Sequence, residues 1–157
     1  MDKFLSAHDE AIRRLKYRLY SSKEIESYLL RKKYNENEIL LAIKKLKEQN
    51  YLNDYEFIKN FVSGRAKRKM LSKKRIISEV KGLVEEGIDI ESSVEKNFAM
   101  YNEDEDVLLT NLIEKKLKGR SPDNLNEKEL NALYSYAIRK GYSYNDIKRK
   151  LNFKKTL

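Results

Sequence analysis

RKKYNENEI at 31–39 and RKGYSYNDI at 139–147 share Arg, Lys, Tyr, Asn and Ile in place, with an acid after each shared Asn. The offset is 108 residues, and halving it lands on EGIDIES at 86–92. Tyr34, Ile88 and Tyr142 then align at intervals of 54. Each is followed by a good helix N-cap, namely Asn35, Asp89 and Ser143, whose side chains can accept from an exposed amide. Each is preceded by Lys33, Gly87 or Gly141, and glycine there suits the left-handed residue that ends a helix. A helix stop, an apolar plug and a helix cap recur three times, which marks an internal repeat.

Working outward, every copy reads as three helices. In the first, Ile12, Leu15 and Leu19 recur at helical spacing; Ser22 caps a helix with Ile25, Tyr28 and Leu29; Asn35 caps one with Ile39, Ile43 and Leu46. In the second the apolar sets are Phe57, Ile58, Phe61 and Val62, then Ile76, Val80, Leu83 and Val84, then Ile90, Val94 and Phe98. In the third they are Leu108, Leu112 and Ile113, then Leu130, Leu133, Tyr134 and Ala137, then Ile147 and Leu151. Ser72 and Asn126 stand four residues farther from their glycines than Ser22 does from Lys33, which predicts a middle helix one turn longer in the later copies. The expected fold is all-α: three tandem three-helix, helix-turn-helix-like repeats over 1–52, 53–101 and 102–157. Three helices bury a small core, so the repeats are expected to stack into an elongated, curved array. GRSPDNLN at 119–126 holds the one proline and is expected to be a hinge or exposed loop.

Composition agrees. Charged residues make up 38% of the chain and hydrophobic residues 40%, with one proline and five glycines, which favours helices over sandwiches or barrels. A formal charge of +9 suits a polyanionic partner, although a lysine-rich proteome would make any protein basic. With no cysteine, disulfides and thiol-ligated metals are excluded, and a reducing compartment is expected. No apolar run approaches a membrane span, and MDKFLSAHDEAIRR carries no signal-peptide core, so a cytoplasmic protein without a membrane partner is expected.

Catalytic signals are missing. His8 is the one histidine and has no obvious ligand partners; a surface role is the simpler reading. The acidic run EDED at 103–106 precedes a helical pattern, where the dipole favours carboxylates, so a Mg²⁺ site is the less economical reading. There is no glycine-rich phosphate loop, no Gly-x-Ser-x-Gly and no His-Glu-x-x-His. Neither an enzyme nor a cofactor is expected. Of the eleven tyrosines, Tyr28, Tyr34, Tyr134 and Tyr142 fall on apolar positions; Tyr17, Tyr20, Tyr136 and Tyr144 are harder to bury and could stack on bases.

GRAKRKMLSKKR at 64–75 holds seven Lys or Arg and no acid. Arg65 and Lys69 extend the helix of Phe61, with Lys67 and Arg68 between them. Met70, Leu71 and Ser72 form a turn, and Lys73, Lys74 and Arg75 open the next helix. Cations at a helix start oppose the dipole, and such local inconsistencies occur at functional sites, which points to an anion-binding surface. Arg13, Arg14, Lys16 and Arg18, then Arg31 to Lys33, Arg139 with Lys140, and Lys148 to Lys150 could extend it.

YLNDYEFIKNFVSGRAKRKMLSKKRI at 51–76 resembles the RecX family, regulators of the RecA recombinase. The family run is Leu-x-Asp, a Phe, a second aromatic with Val, a lone Arg, a basic stretch and Arg-Ile. Here these are Leu52, Asp54, Phe57, Phe61, Val62, Arg65, Lys67 to Lys69, and Arg75 with Ile76. RKGYSYNDIKRKL at the end is similar to the family's C-terminal pattern, and the threefold repeat matches its architecture. This chain departs where Met70 to Lys73 replace a glycine-bearing turn and Lys33 replaces a glycine. The resemblance implies a non-enzymatic, monomeric modulator lodged in the groove of the RecA–single-stranded DNA filament, suppressing ATP hydrolysis, strand exchange and filament growth. It implies contacts to RecA and single-stranded DNA, and weakly to duplex, through Arg65, Lys67, Arg68, Lys69, Lys73, Lys74, Arg75, Arg31, Lys32, Arg139 and Lys140. The alternatives are a stand-alone DNA-binding regulator with helix-turn-helix-like units and a helical scaffold for another protein.

Overall fold

The computed structural model describes residues 5–100 and 104–155, and among these every regular element is helical. The order is α1 (Ala7–Leu15), α2 (Ser22–Arg31), α3 (Glu36–Glu48), α4 (Asp54–Lys69), α5 (Lys73–Val80), α6 (Ile90–Met100), α7 (Glu105–Leu117), a 3-10 turn (Pro122–Asn124), α8 (Glu127–Arg139) and α9 (Tyr144–Lys155). The expected boundary between the second and third repeats, at 101 and 102, lies outside the described residues, as does Glu103 of the acidic run.

Two compact units are distinguished: Met1–Asn60 with Val80–Ile90, and Phe61–Glu79 with Glu91–Leu157. In the first, α1, α2 and α3 pack against one another. Their buried side chains Ala11, Ile25, Leu29, Ile39, Ala42 and Leu46 form one core with Tyr20 and Leu52. These are the i, i+3, i+4 positions of each helix, so one apolar stripe per helix closes the unit. In the second, α8 packs against α7 and α9, and the 3-10 turn against α9. Its buried residues include Val62, Ile76, Phe98, Leu112, Ile113, Leu133 and Ile147.

The repeat signature has a common backbone basis. Lys33, Gly87 and Gly141 all take positive φ, at 67°, 90° and 98°. At the first and third, the helix closes with a paired motif in which the plug tyrosine reaches five residues back. Tyr34 N donates to Leu29 O at 3.2 Å and Lys33 N to Leu30 O at 2.9 Å; Tyr142 N donates to Ala137 O at 3.2 Å and Gly141 N to Ile138 O at 2.9 Å. Asn35 and Ser143 then accept from the amides of Glu38 and Asp146, at 3.0 and 3.1 Å.

Four expectations are corrected. Leu19 is exposed because α1 ends at Leu15 and Lys16 caps it. Ser21 caps α2 in a reciprocal box with Glu24, which makes Ser22 the first helical residue. The middle helix of the second copy is not lengthened: α5 stops at Val80 and the chain turns through 81–84, where Gly82 weakens helix propensity. GRSPDNLN is neither a hinge nor simply an exposed loop. Ser121 caps a 3-10 turn in which Pro122 is buried, because proline's locked φ suits a first helical position.

Candidate nucleic-acid interface

α4 begins where Asn53 Oδ1 accepts from the amides of Tyr55 and Glu56, at 3.0 and 3.2 Å. It ends with Lys67, Arg68 and Lys69, cations placed where the helix dipole favours them. Met70 then takes φ of 52°, a left-handed value that breaks the helix without glycine. Leu71 and Ser72 are buried, and α5 opens on Lys73. The expected helix–turn–helix form of 64–75 is therefore present.

This turn is seated on a second one. Ser72 N donates to Lys140 O at 3.0 Å, and the buried Tyr142 hydroxyl donates to Met70 O at 3.0 Å. Burial pushes the Tyr142 phenol well above its ordinary value, with the Glu105 charge adding to it, so it stays a donor. Gly141 allows the approach: a Cβ there would run into Ser72 Oγ and stand 2.6 Å from Arg75 Cβ. The fold thus brings Arg139 and Lys140 beside the basic segment, although they lie far away in sequence.

The cations divide into held and available groups. Arg65 donates to Glu79 at 2.8 Å and lies 4.4 Å from the Phe61 ring centre. Arg75 shares Glu79 at 3.2 Å, and Lys73 Nζ meets Glu95 at 2.9 Å. The start of α5 is also supplied with acceptors: Glu105 takes the amide of Lys73 at 3.0 Å, and Ser72 Oγ takes that of Arg75 at 3.2 Å. The acids that balance this cationic helix start come from α5's own second turn, from α6 and from α7, so the local conflict read in the sequence is partly resolved by tertiary contacts. Arg68, Lys69, Lys74 and Arg139 are exposed and have no ion-pair partner among the described residues. Lys67 is exposed as well.

One group was missed. Lys115, Lys116 and Lys118 line a cleft of about 180 Å³ with Met70, Leu112 and Tyr136. Lys116 lies 4.0 Å and Lys140 5.3 Å from the Tyr136 ring centre. The run KKLKGR at 115–120 was the available signal, but behind Glu114 it reads as an ordinary basic C-terminal turn.

Arg31 and Lys32 end α2 in the other unit, where Lys32 pairs with Glu10 at 3.5 Å. Among the tyrosines expected to be hard to bury, Tyr20 is in the core, Tyr144 stacks on Tyr134 with ring centres 4.7 Å apart, and Tyr17 is open. The motif residue Asp54 is buried and accepts from Ser22 N at 2.7 Å and Glu85 N at 3.2 Å, a structural tie. His8 Nε2 meets Gln49 Oε1 at 2.8 Å. Among the described residues no group of His, Asp and Glu could hold a metal, and no helix is long and apolar enough to cross a membrane.

Helix-turn-helix units with a cation-rich turn define a class, the helical regulators that meet acidic surfaces or nucleic acid. Residues 7–46 match the family model described as RecX, first three-helix domain. The chain is 33% identical to the Regulatory protein RecX of Clostridium botulinum (strain Eklund 17B / Type B), over 94% of this chain and 68% of that one. It is 31% identical to that of Finegoldia magna, over 95% and 72%, and 30% identical to that of Oceanobacillus iheyensis, of which it spans 50%. In fold it matches the crystal structure of RecX from Lactobacillus salivarius with a TM-score of 0.72 at 22% identity, over 96% of both chains. A second crystal structure, of regulatory protein RecX, matches at 0.73 and 17% identity, over 93% of this chain and 71% of that one. The chain belongs to the RecX family.

Proposed function

We propose that this chain binds the filament of RecA on single-stranded DNA and suppresses its ATP hydrolysis, strand exchange and growth, acting as a cytoplasmic monomer. The observation that carries this reading is the likeness to RecX relatives along nearly the whole chain, with the 51–76 motif intact. The second unit supports it. Arg68, Lys69, Lys74 and Arg139 are held by a rigid pair of turns, with Lys115, Lys116 and Lys118 on the same unit. Cations placed this way can replace counterions on phosphates without sequence preference.

Arg65, Lys73 and Arg75 act differently in this reading. Their carboxylate partners hold the turn in shape, and Lys67, Arg68, Lys69, Lys74, Arg139 and Lys140 make the outward contacts. Steady-state ATP turnover by RecA on single-stranded DNA tests the proposal: added protein is expected to lower the rate, and an unchanged rate at saturating protein rejects it. Changing Arg68, Lys69 and Lys74 to Ala is expected to weaken inhibition about tenfold or more, as losing two or three screened phosphate contacts should. Tight binding to one preferred duplex, with no effect on RecA, would favour a stand-alone DNA-binding regulator instead.

A further inference from the structure

The first unit carries a guanidinium that has aromatic neighbours and no acid. Arg14, in the last turn of α1, is half-buried, with Cζ 4.9 Å from the ring centre of Tyr20 and 5.1 Å from that of Tyr28. Its Nε is enclosed and has no hydrogen-bond partner. Arg18 shows the contrast: it lies 3.7 Å from the Tyr20 ring centre and is clamped by both oxygens of Glu24, at 2.8 and 3.1 Å. Stacking on ring faces holds a guanidinium in orientation but leaves its in-plane donors unsatisfied, and enclosed donors without acceptors are rare in folded proteins.

Arg14 opens on a cleft of about 500 Å³ whose wall also includes Lys23, Ser27, Leu30, Arg31 and Leu83. Arg14, Arg18, Lys23 and Arg31 face Glu24 and Glu26 across it. Arg18 and Glu24 neutralise each other, which leaves an excess of positive charge around an oriented fork. Leu30, about half exposed, supplies an apolar floor.

We propose that this cleft is an oxyanion site that takes the carboxylate of an acidic residue on a partner protein, with an apolar neighbour of that residue resting on Leu30 and Leu83. A protein carboxylate suits it better than a nucleic acid. Cations already lie over both tyrosine rings, Arg14 and Arg18 on Tyr20, Arg14 and Lys32 on Tyr28, so no ring face is open to a base. Glu26 and Glu24 would oppose a continuous phosphate chain but leave room for one carboxylate beside Arg14. The site stands whether or not the filament reading holds.

The test follows the Arg14 Nε–H signal by NMR in the full chain. Two pools of capped octapeptides are titrated, each with randomised flanks, one with a central Leu-Glu and the other with a central Leu-Gln. The glutamate pool is expected to move the Arg14 signal, and the glutamine pool to need about tenfold more peptide for the same shift, the loss of a charge-assisted fork. Arg14→Lys keeps the charge without the fork and should bind the glutamate pool about tenfold more weakly, while Arg13→Lys, outside the cleft, behaves as the wild type. No shift with the glutamate pool, equal shifts from both pools, or a shift produced at lower concentration by oligo-thymidylate overturns the proposal. If Arg14→Lys fails to fold, the comparison of the two pools on the unaltered protein decides it.

Discussion

Lys33 ends α2 at φ of 67°, in the left-handed region that the second and third copies occupy with Gly87 and Gly141. A residue with a Cβ is strained there by roughly 1 kcal/mol. Lys33→Gly is therefore expected to stabilise the first unit by about 1 kcal/mol, read as a higher urea midpoint at unchanged m-value. Glu10 is the second residue of note. The Tyr28 hydroxyl donates to its carboxylate and, with Lys32 nearby, holds Glu10 below the usual glutamate range; Tyr28 in turn is pushed up to about 12, first by that hydrogen bond and then by burial. The depressed acid contributes stability that is complete above its unfolded pKa and lost as pH falls through its folded one. The raised phenol contributes stability that is complete below its unfolded pKa and lost as pH climbs toward about 12. Tyr28→Phe should flatten the fall in stability on the acid side, between about pH 5 and 3, and also remove the alkaline loss. Urea midpoints measured across pH check both limbs. Neither effect was readable in sequence, because Glu10 and Tyr28 meet only through the packing of α1 on α2.

At the scale of elements, helix starts were the most legible feature. Asn35, Asn126 and Ser143 cap where short polar side chains before an apolar stripe should, since the signal and the hydrogen bond lie within three residues of each other. Helix ends were less legible: α1 stops before Leu19 and α5 before Leu83, where apolar spacing alone would have continued them. The Leu52-x-Asp54 motif looks like part of a basic recognition segment in the sequence. In the structure Asp54 starts α4 and also receives the amides of Ser22, at the start of α2, and Glu85. Asp54→Ala is expected to cost about 2–4 kcal/mol, because two amides with little access to water lose their acceptor. Chemical denaturation measures that loss. Helical circular dichroism of the folded variant should change little, since each helix keeps its own backbone bonds.

For the whole molecule, a charge of +9 implies attraction to polyanions, yet the count does not say which cations act. Binding to single-stranded DNA is expected to weaken linearly on a log–log salt plot. Converting Arg68, Lys69 and Lys74 to Ala should flatten that slope by about 2, at roughly 0.7 per lost phosphate contact. A slope unchanged by the triple substitution would place the phosphate contacts elsewhere. The amino-acid sequence by itself determined the helical class, the recurrent stop, plug and cap, and the turn at Met70 to Ser72, because these depend on interactions within a few residues. Only the tertiary structure decided which charges are engaged. Glu79, Glu95 and Glu105 hold Arg65, Arg75 and Lys73, Gly141 lets Lys140 lie against Ser72, and two tyrosines orient an Arg14 that has no acid. Those pairings join residues remote in the chain, and a net charge is the same however its members are paired.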